Sequence, residues 1–96
     1  MTVFDVGCGT GSISNDIANI VGDSGKVIGI DITEKFIKSG KETYGNTQNL
    51  YLIHSDLFDF ETNEKFDLIT SARKLQWLSI PKEALLKIKL LLKPMV

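Results

Sequence analysis

A chain of 96 residues, 43% hydrophobic and 24% charged with a formal net charge of −1, is expected to form at most one small soluble domain. There is no basic surplus to meet nucleic-acid phosphates and no run near the ~20 apolar residues of a membrane span, so neither partner is expected. One cysteine, Cys8, and one histidine, His54, exclude an internal disulfide and a multi-ligand metal centre; with no basic, apolar leader, the expected location is cytoplasmic.

Val3, Phe4 and Val6 read as a short apolar strand of the kind buried on both faces of a parallel sheet. Gly7 to Gly11 cannot continue it. Ile13, Ile17, Ile20 and Val21 then recur at helical spacing, with Ser14, Asn15, Asp16 and Asn19 expected on the opposite side. Gly22 and Gly25 end that helix. Val27 to Ile30 is a second strand closing on Asp31, and Thr33 is placed to cap a helix carrying Phe36, Ile37 and Tyr44. Gly45 and Asn46 mark its stop. Leu50 to Ile53 is a third strand and Phe66 to Ile69 a fourth. Ser79 and Pro81 then open a last helix with Ala84, Leu85, Ile88, Leu91 and Leu92 as its main stripe, Leu86 and Leu90 on a second apolar side, and Pro94 as its end.

The order is β-α-β-α-β-β-α, the pattern of a Rossmann-like, doubly wound α/β fold. The ten residues Asp56 to Lys65 must return the chain to the start of a parallel fourth strand. Extended, they reach at most ~35 Å, enough to retrace a strand but not to hold a crossover helix, so an irregular loop is expected.

The chemistry sits where the first strand meets the first helix. Gly7, Gly9 and Gly11 can turn tightly and let a ligand press on bare backbone. The helix N-terminus that follows offers free N–H groups. A glycine-rich turn alone is a weak signal, and its neighbours sharpen it. Asp5 is a carboxylate within a strand that should be buried, so it calls for a cationic or hydrogen-bonding partner. Asp31 ends the second strand 20 residues after Gly11, the place of an acid that takes ribose hydroxyls; the alternative is a helix-capping or turn aspartate.

The spacing also separates cofactors. The dinucleotide fingerprint is Gly-x-Gly-x-x-Gly, whereas here the third glycine comes one residue early and Ser12 holds the fingerprint position. Asp5 would set a negative charge near a pyrophosphate. S-adenosylmethionine carries an ammonium and no phosphate, which suits Asp5.

Val3-Phe4-Asp5-Val6-Gly7-Cys8-Gly9-Thr10-Gly11 resembles motif I of the class I S-adenosylmethionine-dependent methyltransferases, especially the small-molecule type of ubiquinone and menaquinone biosynthesis. Gly29 to Ile32, His54 to Leu57, Phe66 to Ser71 and Leu90 to Pro94 resemble that family's later segments in order. The resemblance implies a sheet of strand order 3-2-1-4 with about three helices, and a small-molecule methyl acceptor with S-adenosylhomocysteine as product. Gly7, Cys8, Gly9, Thr10 and Gly11 would line the methionine part, with Asp5 facing its ammonium. Asp31 would take the ribose hydroxyls, Ile32 would pack on the adenine, Asp56 would accept from the adenine amino group, and Leu57 would cover the ring. Ser71 and Ala72 would close the amino-acid end.

Plainer roles stand beside these: Asp56 as a turn cap, Cys8 as a small loop residue, His54 as a surface residue, and Trp77 with Leu75 and Leu78 as packing. No catalytic base is assigned. The family's sheet has seven strands and this sequence supplies four, so the expectation is the N-terminal, cofactor-binding part of such a domain over residues 1–96. An open fourth-strand edge would then invite self-association. The competing readings are a non-catalytic cofactor-binding or interaction fragment and a nicotinamide oxidoreductase of Rossmann type.

Overall fold

The computed structural model describes residues 1–71 and 82–94. Within them run β1 (Thr2–Val6), α1 (Ser12–Val21), β2 (Lys26–Asp31), α2 (Glu34–Tyr44), β3 (Leu50–His54), β4 (Leu68–Thr70) and α3 (Lys82–Leu91). The strands form one sheet in the order β3-β2-β1-β4, every neighbouring pair parallel. This register sets Asp5 beside Gly29 on β2 and Thr70 on β4, and Asp31 beside His54 on β3. No helix among the described residues is long and apolar enough to cross a membrane.

The two-residue period of the central strands divides the core. Phe4, Val6, Ile28 and Ile30 face one side, packed with Leu57, Phe60, Phe66, Ile69 and the α3 residues Ala84, Ile88 and Leu91. Val3 and Val27 face the other, against Ala18 of α1. Asp5, two residues beyond Val3, shares that α1 side. The Asp56–Lys65 link is the expected irregular loop, and it covers the first side. Its Phe60 stacks on Phe4 at 4.9 Å, and Phe66 stacks on Phe4 at 4.8 Å. Each such pair contributes about 0.5–1.5 kcal/mol beyond the area it buries.

Three element faces differ from expectation. In α1 the buried residues are Ser14 and Ala18, while Ile13 and Ile20 are 44% and 83% exposed. The cause is close packing. A Cβ on Gly29 would lie about 3.0 Å from Cys8 and 3.1 Å from the Ser14 hydroxyl, so only small side chains fit between α1 and the sheet. In α2 the sheet-facing residues are Ile37 and Gly40, and Phe36 is exposed. Thr33 stands at the N-cap, but its side chain makes no capping bond. In α3 the expected Leu85 joins Leu86 and Leu90 on the exposed side.

β3 is the sheet edge that the order 3-2-1-4 implies: Leu52 is buried, but Tyr51 and Ile53 are exposed. β4 begins at Leu68 rather than Phe66. Phe66 leaves the β1 ladder, donating its N–H to Leu91 O at 2.7 Å and accepting from Lys93 N at 2.9 Å. Asp67 then clasps the start of β1, accepting the Thr2 N–H at 2.7 Å and pairing with Lys93 at 3.0 Å. The expected helix start at Ser79 and Pro81, and Leu75, Trp77 and Leu78, lie outside the described residues.

Candidate functional site

The glycine loop follows β1 at the C-terminal end of the sheet. Strand order reverses between β1 and β4, and such a switch point opens a crevice in doubly wound folds. Gly7, Gly9 and Gly11 have φ of 72°, 60° and 89°, and no other residue type among those described has positive φ. A side chain in that conformation costs about 1–2 kcal/mol, which explains why the loop takes glycine at alternate positions.

β2 anchors the loop. The N–H groups of Gly7 and Cys8 both donate to Ile30 O, at 2.8 and 2.9 Å. Gly9 N–H donates to Asp31 Oδ2 at 2.8 Å, and Thr33 N–H donates to Asp31 Oδ1 at 2.8 Å. Asp31, 2% exposed, therefore ties the loop to the turn that opens α2. α1 begins at Gly11 with no side-chain cap and no acidic residue in its first turn, leaving helix N–H groups directed at the loop.

Two depressions flank the loop. One, of about 60 Å³, is lined by Val6, Gly7, Ile30, Asp31, Ile32, Ser55, Asp56 and Leu57. The other, of about 130 Å³, is lined by Cys8, Thr10, Ser12 and Ile13. The fold thus brings Gly7, Asp31, Ile32, Asp56 and Leu57 together on one side of the loop and Cys8 and Thr10 on the other. Ile32 is exposed and Leu57 buried. Asp56 Oδ1 accepts the Asp59 N–H at 2.7 Å, so it does cap a turn at the rim. His54 is exposed, with a ring nitrogen 3.1 Å from Ile32 O. Ser71 is buried directly after β4, and Ala72 lies outside the described residues.

Asp5 lies beneath the loop rather than in either depression, 2% exposed. Ser14 Oγ donates to its Oδ2 at 2.5 Å, and Thr70 Oγ1 donates to its Oδ1 at 3.1 Å. The expectation of a hydrogen-bonding partner is met twice. Burial pushes this carboxyl above its ordinary value, the two hydroxyls pull it back, and the Asp31 charge adds to the rise. Sequence reasoning missed Ser14 and Thr70. Ser14 was placed on the outer face of α1, although the small pair Ser14 and Ala18, one turn apart, is itself a sign of close helix–sheet packing.

Cys8 is buried among Ile37 and Leu52. Burial first, then the charges of Asp5 and Asp31, push its thiol up to about 12, the opposite of an activated nucleophile. Iodoacetamide at pH 8 is expected to alkylate native Cys8 at least ~100-fold more slowly than the urea-unfolded chain, since so little thiolate is present. Equal rates, read by intact mass, would contradict this burial.

Comparison with known proteins adds a second line of observation. A family model described as "Methyltransferase domain" matches residues 1–96. Demethylmenaquinone methyltransferase of Staphylococcus aureus is 39% identical over 72 residues, which is 73% of this chain and 30% of that protein. A SAM-dependent methyltransferase from Aquifex aeolicus superposes with TM-score 0.86 at 30% identity, covering 98% of this chain and 52% of that one. The plantazolicin methyltransferase BpumL, solved with a triazolic desmethylPZN analog and SAH, gives TM-score 0.82 at 21% identity over 97% of this chain and 35% of its own, a likeness of fold. The chain spans 28 to 36% of the length of the first curated relatives it matches.

Proposed function

The chain belongs to the methyltransferase-domain family, and from that premise we propose that its glycine loop and strand-end carboxylates hold S-adenosylmethionine for methyl transfer to a small-molecule acceptor. The observation that carries this reading is the pairing of a bare-backbone loop with two buried carboxylates, Asp5 below it and Asp31 beside it. Such a donor set suits a ligand bearing an ammonium and vicinal hydroxyls. The Asp5 charge beneath the loop disfavours a pyrophosphate there.

Residues 1–96 then act as the N-terminal, cofactor-binding part of the domain. Gly7, Cys8, Gly9, Thr10 and Gly11 lie along the methionine moiety, with Asp5 opposite its ammonium and Ser71 near that end. Asp31 accepts from the ribose hydroxyls. A carboxylate offers about four lone-pair directions, so this is compatible with its bonds from Gly9 and Thr33. Ile32 and Leu57 sandwich the adenine, and Asp56 at the rim accepts from its amino group. When bound, S-adenosylmethionine supplies an electrophilic methyl group on a sulfonium. The chain's own contribution is to fix position and exclude water. The single cysteine fits a cytoplasmic setting.

Asp5→Asn tests the assignment. S-adenosylhomocysteine affinity should fall roughly 10-fold or more, the scale of a lost charge-assisted contact. 5′-Methylthioadenosine, which lacks the amino acid, should bind both proteins alike. The ligand-free variant should melt no lower than the parent. A carboxyl that holds its proton more tightly folded than unfolded gives up stability as pH rises through that interval, and the amide removes this loss. Unchanged affinity for S-adenosylhomocysteine, or an equal loss for 5′-methylthioadenosine, would sink the reading.

A further inference from the structure

We infer that Ser14 and Thr70 are positioning residues that set the charge and direction of Asp5, and so make the site selective for a ligand whose amino-acid end is cationic. This rests on the S-adenosylmethionine reading above. It goes beyond it in assigning two residues outside the loop and strand-end acids a share in ligand selection.

The geometry is specific. Each Asp5 oxygen receives one hydroxyl, and the two hydroxyls come from different elements on different sides of β1: Ser14 from α1 and Thr70 from β4. The pair fixes the carboxylate plane between a helix and a strand. The Ser14 contact, 2.5 Å, has the length of an O–H donated to an ionised carboxylate. Ser14 is fully buried, and its place depends on the absent side chain of Gly29, whose Cβ would sit 3.1 Å from the hydroxyl.

The groups that face Asp5 are Ser14 of α1, Thr70 of β4, Asp31 of β2 and the Cys8 thiol of the loop. None of these four is cationic. Ionised Asp5 is therefore supported by two hydroxyls against a neighbouring negative charge. A positive ligand group above it completes the balance. Both hydroxyls donate to the carboxylate and so favour its ionised form, opposing the effect of burial.

The test is calorimetric affinity against pH for the parent, Ser14→Ala and Thr70→Val, with S-adenosylhomocysteine and 5′-methylthioadenosine as probes. For the parent, S-adenosylhomocysteine affinity should decline on acidification as Asp5 takes up its proton. Ser14→Ala should move that decline upward by about one to two pH units, the shift that follows from losing a hydrogen bond to a charged group. The variant should approach parental affinity at pH 8. Thr70→Val, near-isosteric and on a strand, should move it the same way by less, because the longer contact is the one removed. Methylthioadenosine affinity should not follow either shift.

A loss that is equal at every pH, or equal for both probes, would reduce Ser14 and Thr70 to packing residues and overturn the inference, as would unshifted profiles. If thermal melting shows Ser14→Ala unfolded, Thr70→Val decides alone. Failure of the parent itself to bind S-adenosylhomocysteine would instead strike the proposed function.

Discussion

Asp31→Ala is expected to lower S-adenosylhomocysteine affinity by roughly 10- to 150-fold and to destabilise the ligand-free chain by about 2–4 kcal/mol. Two losses combine. The proposed ribose acceptor disappears, and two backbone donors, Gly9 N–H and Thr33 N–H, lose the oxygens they now meet at 2.8 Å. The buried Gly9 N–H left without a partner forfeits about 1–3 kcal/mol, and the part-buried Thr33 N–H forfeits less. Asp31→Asn keeps one acceptor oxygen and should fall between parent and alanine in urea melts. The pattern expected is therefore a graded loss of stability with a steep loss of binding. Full stability in Asp31→Ala would show that the carboxylate does not hold the loop, and unchanged affinity would show that it does not hold the ligand.

The second large effect is expected at a residue no ligand need touch. A Cβ at Gly40 of α2 would lie 2.4 Å from Thr10 O and 2.7 Å from Leu52 Cδ1. Leu52 can rotate, but the Thr10 carbonyl belongs to the glycine loop, so Gly40→Ala must push loop and helix apart. Overpacking of this kind costs about 1–3 kcal/mol, which outweighs the ~1 kcal/mol that alanine gains over glycine within a helix. Displacing the loop should also weaken S-adenosylhomocysteine binding by about tenfold or more, since misplacement by an ångström is enough to spoil a positioned site. Gly22→Ala is the matched control. Gly22 has φ 72° but open space around its Cβ, so strain of about 1–2 kcal/mol should appear there without a change in affinity. Equal binding losses at Gly40 and Gly22 would contradict the local account.

Much of this arrangement is legible in the residue order. Apolar runs of strand length, alternating with helical periods, give the parallel sheet, and the family resemblance implies its 3-2-1-4 order, which the sheet has. Gly7, Gly9 and Gly11 announce a backbone that no other residue adopts cheaply, and all three have the expected positive φ. The acid at position 31 stands at the loop, though half of what it does there is structural. What periodicity misses is distance of approach. α1 carries four β-branched apolar residues at helical spacing, yet it turns Ser14 and Ala18 inward because the glycine loop and Gly29 bring it too near the sheet for larger side chains. The same closeness selects Gly40 in α2. Hydrophobicity reports which residues avoid water, not how far apart two elements stand, so Ser14 and its bond to Asp5 stay hidden until the elements are assembled.

Calorimetric titration of the purified chain with S-adenosylhomocysteine and, separately, with NAD tests the central claim most directly. The account predicts one saturable site for S-adenosylhomocysteine and no saturable heat with NAD, because the pyrophosphate would lie over Asp5. A saturable NAD isotherm with none for S-adenosylhomocysteine would contradict it.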